Sequence, residues 1–434
     1  MNKIIIFFAL ILFTVGCSLN KNSKFWTVSE NIPEESNLNY KEVLVKEEAL
    51  GQELNSDLII KLDGNINNNL SIRNYFNNDG RLNYDGFLKK SSRYKFSKID
   101  DFYEFEPTIS MYKKNIIFFD NNGSILQFND QSKLIWKKNY YSKSEKKLKP
   151  NLQFANNRKF LIVADNIARY YALDLISGEL IWSKYNSAPF NSQIKIYDDK
   201  FFIVDYSNTL RCFSIKDGKE LWNIKTENSL IRSQKKLSLV IVNGLIYFNN
   251  SIGDISAVDI DRGELLWQLP TQSSLIYESA FSLETSDIVT DSNALFFSNN
   301  KNQLFSIDLG AGIFNWENKV NSNLRPSLVG NYLFTISIEG YLIVIEKNSG
   351  NIIRISDVFR DFKKKKRDKI KPVGFIMGLN KIYLSTDNGR LLVIDTATGK
   401  TVSVLKIDNE KISRPFILDK NLFVIKDNAI IKLN

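Results

Sequence analysis

Tyr170–Trp182 reads YYALDLISGELIW. An apolar run closes on the acid Asp174, Gly178 follows four residues later, and Trp182 four residues after that. The pattern returns as LRCFSIKDGKELW (Leu210–Trp222), ISAVDIDRGELLW (Ile255–Trp267) and LFSIDLGAGIFNW (Leu304–Trp316). Weaker copies are LQFNDQSKLIW (Leu126–Trp136), LIVIEKNSGNIIR (Leu342–Arg354) and LLVIDTATGKTVS (Leu391–Ser403). Gly178, Gly218, Gly263, Gly312, Gly350 and Gly399 recur every 38 to 49 residues, with Ser132 in the glycine position of the first copy. That period suits four short strands, and no stretch of ten residues carries a 3.6-residue apolar period.

Each unit reads as strands a, b, c and d. Six of the eight prolines, Pro107, Pro150, Pro189, Pro326, Pro372 and Pro415, fall just before a predicted strand a, where no ladder donor is lost. Turns such as DNNG (Asp120–Gly123) and TDNG (Thr386–Gly389) mark the b–c hairpins. Between c and d the repeated acid is expected to accept turn N–H groups, and the glycine to take a positive φ. The d-strand Trp offers a flat face for packing between neighbours.

The b–c hairpin occurs eight times, the last being LFVIKDNAIIKLN (Leu422–Asn434), but a d strand follows only seven of them. An open ring would expose unpaired strand edges. The missing strand is therefore expected from SRYKFSKI (Ser92–Ile99). The reading is an all-β, eight-bladed propeller of four-stranded blades, spanning 87–434, whose last blade is closed by an N-terminal strand.

Upstream, Met1-Asn2-Lys3 is a short positive start, Ile4–Phe13 is an apolar run too short to span a bilayer as a mature helix, and TVGC (Thr14–Cys17) follows. These features resemble a bacterial lipobox, although Thr14 stands where that pattern prefers Leu. The resemblance implies that residues 1–16 are a signal peptide and that Cys17 is acylated. Ser18 after the cysteine implies outer-membrane sorting. Residues 17–86, rich in Asn, Ser, Lys and Glu, read as a tether partly packed on the domain, with a weak helical candidate at KEVLVKEEALGQEL (Lys41–Leu54).

The acid–glycine–tryptophan units resemble the repeats of pyrroloquinoline-quinone-type propellers. A lipobox with one eight-bladed domain is similar, within that group, to the BamB family, the lipoprotein subunit of the outer-membrane β-barrel assembly machinery. That resemblance implies a non-catalytic scaffold that faces the periplasm and binds the periplasmic domains of BamA, with unfolded outer-membrane proteins as further clients. It places SLIRSQ (Ser229–Gln234) and SLETSD (Ser282–Asp287) on the contact surface. Ile231 would fill an apolar contact, Arg232 would pair with a carboxylate or carbonyl, and Glu284 would supply an acidic contact; Ser282 departs from the family's acid. A periplasmic propeller that binds a glycan or quinone, or a degenerate quinoprotein, is the alternative.

Composition weighs against catalysis. The chain has no histidine, so it carries no Ser-His-Asp triad, Cys-His pair or His-based zinc site. Quinone-dependent relatives use a vicinal cysteine pair, whereas Cys17 and Cys212 are far apart, and Cys212 reads as a packed strand residue. No cofactor or metal is expected, and the repeated acids Asp174, Asp259, Asp308, Glu346 and Asp395 are assigned to turns. The formal charge is +10, or +9 without Lys3. Much of it sits in two d–a connections, KKNYYSKSEKKLKP (Lys137–Pro150) and RDFKKKKRDKIKP (Arg360–Pro372). Such loops suit acidic protein segments or anionic lipid; nucleic acid is not a partner a periplasmic protein would meet.

Overall fold

Asn115–Phe119 reads NIIFF and Lys200–Val204 reads KFFIV, and in each the last four side chains are buried. A half-buried strand would alternate; an unbroken buried run marks a strand covered on both faces. Stacked blades impose that condition on their middle strands. The computed structural model describes residues 50–62, 66–67, 80–104, 107, 109–227, 235–272, 283–291 and 293–434. Within them lie eight four-stranded antiparallel sheets and one short parallel pair, Ile66–Asn67 with Arg81–Leu82.

Seven sheets follow chain order. Blade two, for example, is built from Leu152–Asn156, Phe160–Asp165, Arg169–Asp174 and Leu180–Tyr185. First strands of adjacent blades approach one another, so strand a is innermost and strand d forms the rim. Six of the seven apolar clusters each span two neighbouring blades, and the seventh joins blades eight, one and two. The core is thus a set of wedges between sheets, and burial of these wedges holds the ring together.

The repeat motif supplies the seams. Each of the six repeat glycines has a φ between 65° and 77°, and Ser132 adopts 62° in their place. The Trp of one blade lies on the glycine of the next: Trp136 on Gly178, Trp182 on Gly218, Trp222 on Gly263, Trp267 on Gly312 and Trp316 on Gly350. A Cβ at Gly178 would meet the Trp136 ring at 2.9 Å. Three indoles also donate to the carbonyl just past the acid position: Trp182 to Ile215 (2.8 Å), Trp267 to Leu309 (3.2 Å) and Trp316 to Lys347 (2.9 Å). The glycine is therefore required twice, by its backbone and by the ring above it.

Blade eight consists of Phe416–Leu418, Asn421–Lys426, Ala429–Leu433 and, as its outer strand, Lys90–Lys95. Tyr94 pairs with Ile430 and Lys95 with Ala429. The closing strand thus begins two residues before the expected Ser92 and ends before Ile99, because the partner strand runs out at Ala429. Beyond it, Phe96 and Ile99 still donate their N–H groups to Asn428 (3.2 Å) and Asp427 (2.8 Å). Tyr94 is fully buried, donates to the Asp130 carbonyl at 3.1 Å, and packs on Phe128 of blade one and Phe423 of blade eight.

Five of the six prolines stand at or within three residues of a first strand; Pro189 is the exception, since strand Lys195–Tyr197 starts six residues later. The intervening chain first bridges Phe190 to Asp205 and Ser192 to Leu237 of the next blade.

Residues 50–62 run along the rim of blades six and seven. Leu54 exchanges both backbone hydrogen bonds with Ile355, at 3.1 and 3.0 Å, on the outer strand Ile352–Asp357. Asn55 donates to Ile353 O, Glu53 accepts from Asp357 N, and Ile60 is buried with its N–H on Ala397 O. The described end of the helical candidate at 41–54 is therefore not helical; residues 41–49 lie outside the described residues. At this seam the Trp position is Arg354, fully buried against Gly399. Its Nη2 donates to Thr396 O (3.0 Å), the carbonyl just past Asp395. Nη1 reaches both Ala397 O and Leu58 O, the latter at 3.0 Å. Burial pushes the Arg354 pKa down to about 10, with Asp395 opposing.

Candidate partner-binding face

All eight d–a connections converge on one mouth of the central axis. They line a cavity of about 470 Å³ together with the tips of b–c hairpins. Each connection contributes at least one residue, among them Glu104, Asn151, Asn191, Lys235, Glu284, Asn323, Lys371 and Lys411. Short strands and long connections place them there, because loops at one end of a ring act as one surface.

Glu284 is exposed at this mouth. Its backbone is fixed by exchange with Asn300: Glu284 N donates to Asn300 Oδ1 and Asn300 N donates to Glu284 O, both at 2.9 Å. Its carboxylate accepts from the Asn323 side-chain amide, and the Asn323 carbonyl accepts from Lys235 Nζ. Glu284, Asn323 and Lys235 thereby join three successive connections. Cys17, Ile231, Arg232 and Ser282 lie outside the described residues. The described continuation of the Ile231–Arg232 loop is Lys235 and Lys236, both on the cavity wall, and Lys236 Nζ donates to Gln153 Oε1 at 3.2 Å.

Asp287, three residues past Glu284, is buried, with its carboxylate 3.8 Å from Arg325 Nε. Burial works to raise its pKa, but Arg325, Lys236, Lys235 and Arg414 overcome that and hold the carboxyl below its usual range. Sequence reading missed Lys235, Lys236, Asn323 and Arg325, and gave no role of its own to Asp287, the last residue of SLETSD. The available signal was position: all five stand in or just beyond d–a connections.

The repeated acids are occupied. Asp174 accepts from Ile176 N and Ser177 N, Asp259 from Asp261 N and Arg262 N, Asp308 from Gly310 N and Ala311 N, and Asp395 from Thr398 N. Glu346 accepts from Ser349 Oγ. Cys212 is a fully buried strand residue whose thiol is pushed up to about 12 by burial, which suppresses the reactive thiolate.

The sequence profile of the family described as outer membrane protein assembly factor BamB matches residues 121–356. The chain is 22% identical over 341 residues to the outer membrane protein assembly factor BamB of Shewanella oneidensis, covering 66% of this chain and 82% of that protein. It is 20% identical over 193 residues to the BamB of Moranella endobia, covering 44% and 50%. The crystal structure of BamB from Moraxella catarrhalis superposes with a TM-score of 0.64 at 14% identity, over 80% of this chain and 99% of that one. Quinohemoprotein alcohol dehydrogenase from Comamonas testosteroni gives 0.62 at 10% identity, over 81% and 78%. At these identities the two structural likenesses speak for the fold alone. The profile match spans more than half of the chain, which belongs to the family of outer membrane protein assembly factor BamB.

Proposed function

We propose that this chain is a non-catalytic scaffold of an outer-membrane β-barrel assembly machinery. Acylated Cys17 anchors it to the outer membrane after residues 1–16 are removed, 17–86 lead to the propeller, and the propeller faces the periplasm. Its d–a face binds the periplasmic domains of a BamA-like barrel-inserting subunit and so assists folding and insertion of outer-membrane proteins. Among the described residues no helix is long and apolar enough to cross a membrane; on this reading the acyl chains are the anchor.

One observation carries the reading: Glu284 and the chain that continues from Arg232 meet at the mouth where every d–a connection converges. Family membership and the commitment of the repeated acids to turns both favour binding over catalysis.

The test is the affinity of the propeller for the periplasmic domains of the barrel-inserting subunit. Arg232→Ala is expected to weaken binding by about 1.5–3 kcal/mol where its partner is desolvated. Arg232→Glu is expected to weaken it more, by adding repulsion, and Glu284→Lys is also expected to weaken it. Unchanged affinity for Arg232→Glu and Glu284→Lys, with unchanged melts, would show that this face is not the docking surface. For the anchor, Cys17→Ser is expected to leave the membrane fraction; sedimentation with outer membranes at high salt would overturn acylation.

A further inference from the structure

The two lysine-rich connections differ in what their charges do. In residues 137–149, Lys137 pairs with Asp120, Lys138 with Glu179, and Lys149 with Asp100 and Asp101. Glu145, in the short helix Lys143–Lys146, is held by Arg169 and Tyr185. Residues 360–371 carry eight basic and two acidic side chains, a net +6 of the chain's +10. Among the described residues, carboxylates pair with the two arginines at the base, Arg360 with Glu53 and Arg367 with Asp357. Lys363, Lys365, Lys366, Lys369 and Lys371 are exposed, with no carboxylate partner among the described residues.

These lysines stand on a fixed base. Phe359 and Ile370 are buried, Phe359 packs edge-on against Phe362, and Arg367 N donates to Lys363 O. Lys371 N donates to Asp387 Oδ1 and Asp387 N to Lys371 O. The packing thus holds like charges side by side, an arrangement that repels itself and gains from a dense array of anions.

We propose that this loop docks on a bilayer surface carrying anionic phospholipid headgroups. The covalent path of the chain favours that occupant over an acidic protein. Glu53, at the base of the loop, belongs to the segment that leads back toward Cys17, and only 32 residues lie between Cys17 and Leu50. Fully extended, those residues reach at most about 110 Å. On the reading that Cys17 is acylated, binding of the loop becomes an intramolecular event. Screening over about 8 Å makes the contact short-ranged, so the loop touches the surface rather than hovering over it. Polybasic segments beside a lipid anchor act in this way as a second attachment signal.

The test uses the chain from Ser18 onward, which keeps every described element and lacks Cys17, so the result does not depend on acylation. Its co-sedimentation with phosphatidylglycerol vesicles is compared with that for phosphatidylcholine vesicles at low salt. The expected result is phosphatidylglycerol-dependent binding that falls at least tenfold when Lys363, Lys365, Lys366 and Lys369 are changed to Gln. Changing Lys143, Lys146 and Lys147 to Gln is expected to leave it within a factor of about three. The substituted side chains are exposed, and unchanged melts verify that the ring is intact. Equal binding to both vesicle types, equal loss in both variants, or displacement by millimolar inorganic phosphate would overturn the proposal. So would absence of vesicle binding in a chain that binds an acidic protein through the same lysines.

Discussion

Arg354 occupies against Gly399 the place that Trp316 occupies against Gly350 one blade earlier. Both side chains donate to the carbonyl just past the turn acid, Trp316 to Lys347 O and Arg354 to Thr396 O. The guanidinium has donors to spare, and one holds Leu58 O. Arg354→Ala would strip Leu58 O and Thr396 O of this donor and leave Ala397 O only the Ile60 N–H, and is expected to destabilise the fold by about 3 kcal/mol or more. Arg354→Trp restores the usual seam but gives Leu58 no donor. It is expected to melt near the parent while residues 50–62 become sensitive to protease. Equal protection of that segment in both proteins would show that Arg354 does not hold it.

Seam glycines can be separated from ordinary turn glycines. Gly312 has a φ of 65° and Trp267 directly above it, whereas Gly244 has a φ of 75° and nothing within 4 Å of an added Cβ. Gly244→Ala is expected to lose about 1 kcal/mol through backbone strain alone. Gly312→Ala must also displace an indole and is expected to lose roughly 3 kcal/mol or more. Denaturant midpoints compare the two; similar losses would mean that the ring shifts freely.

Closure predicts a difference between two deletions. Removing residues 84–99 takes away the outer strand of blade eight, including Tyr94, and is expected to cause aggregation or loss of cooperative folding. Removing residues 20–37 is expected to leave the melt unchanged. As a point variant, Tyr94→Ala is expected to lose about 3–5 kcal/mol, because the ring fills the junction of blades eight and one.

Asp165 gives the fold a pH signature. Burial raises its pKa to about 6, against hydrogen bonds from Tyr141 and from the N–H groups of Arg169 and Ile167. The folded state therefore holds this proton more tightly than the unfolded chain does. The resulting stability is complete below about pH 4 and is lost as pH rises through about 6. Urea titrations of the parent and Asp165→Asn at pH 4, 5, 6 and 7 are expected to diverge by on the order of 2 kcal/mol, with the parent losing ground as pH rises. Parallel profiles would remove Asp165 from this role.

The propeller was legible because its seams are written into every repeat: an acid, a glycine and an aromatic at fixed spacing specify the turn and what packs on it. The closing strand was found by counting and missed by two residues at its start, since Lys90 pairs with Leu433 across a bulge that carries the strand past Ser92. The face was far less legible. Glu284 came from resemblance, while Lys235, Asn323 and Asp287 sit on connections that obey no repeat and meet only because the ring brings them together. Arg354 stood in plain view as a break in the Trp pattern, but its purpose depends on Leu58, in a segment with no periodicity to read.

Blade eight also sets the order of events in folding. Ser91, at the bulge in its outer strand, donates its hydroxyl to Lys432 O, and the two residues are 341 apart. Joining ends so distant is entropically harder than closing a four-residue hairpin by about 4 kcal/mol. The other seven blades are local hairpins that form without waiting. Ring closure is thus the slow, late step, and a permuted chain whose new termini lie in the 139–151 connection, with Asn434 joined to residue 80, would turn it into a local one. Such a permutant should refold faster while unfolding at nearly the same rate, the signature of a barrier set by chain connectivity rather than by contacts.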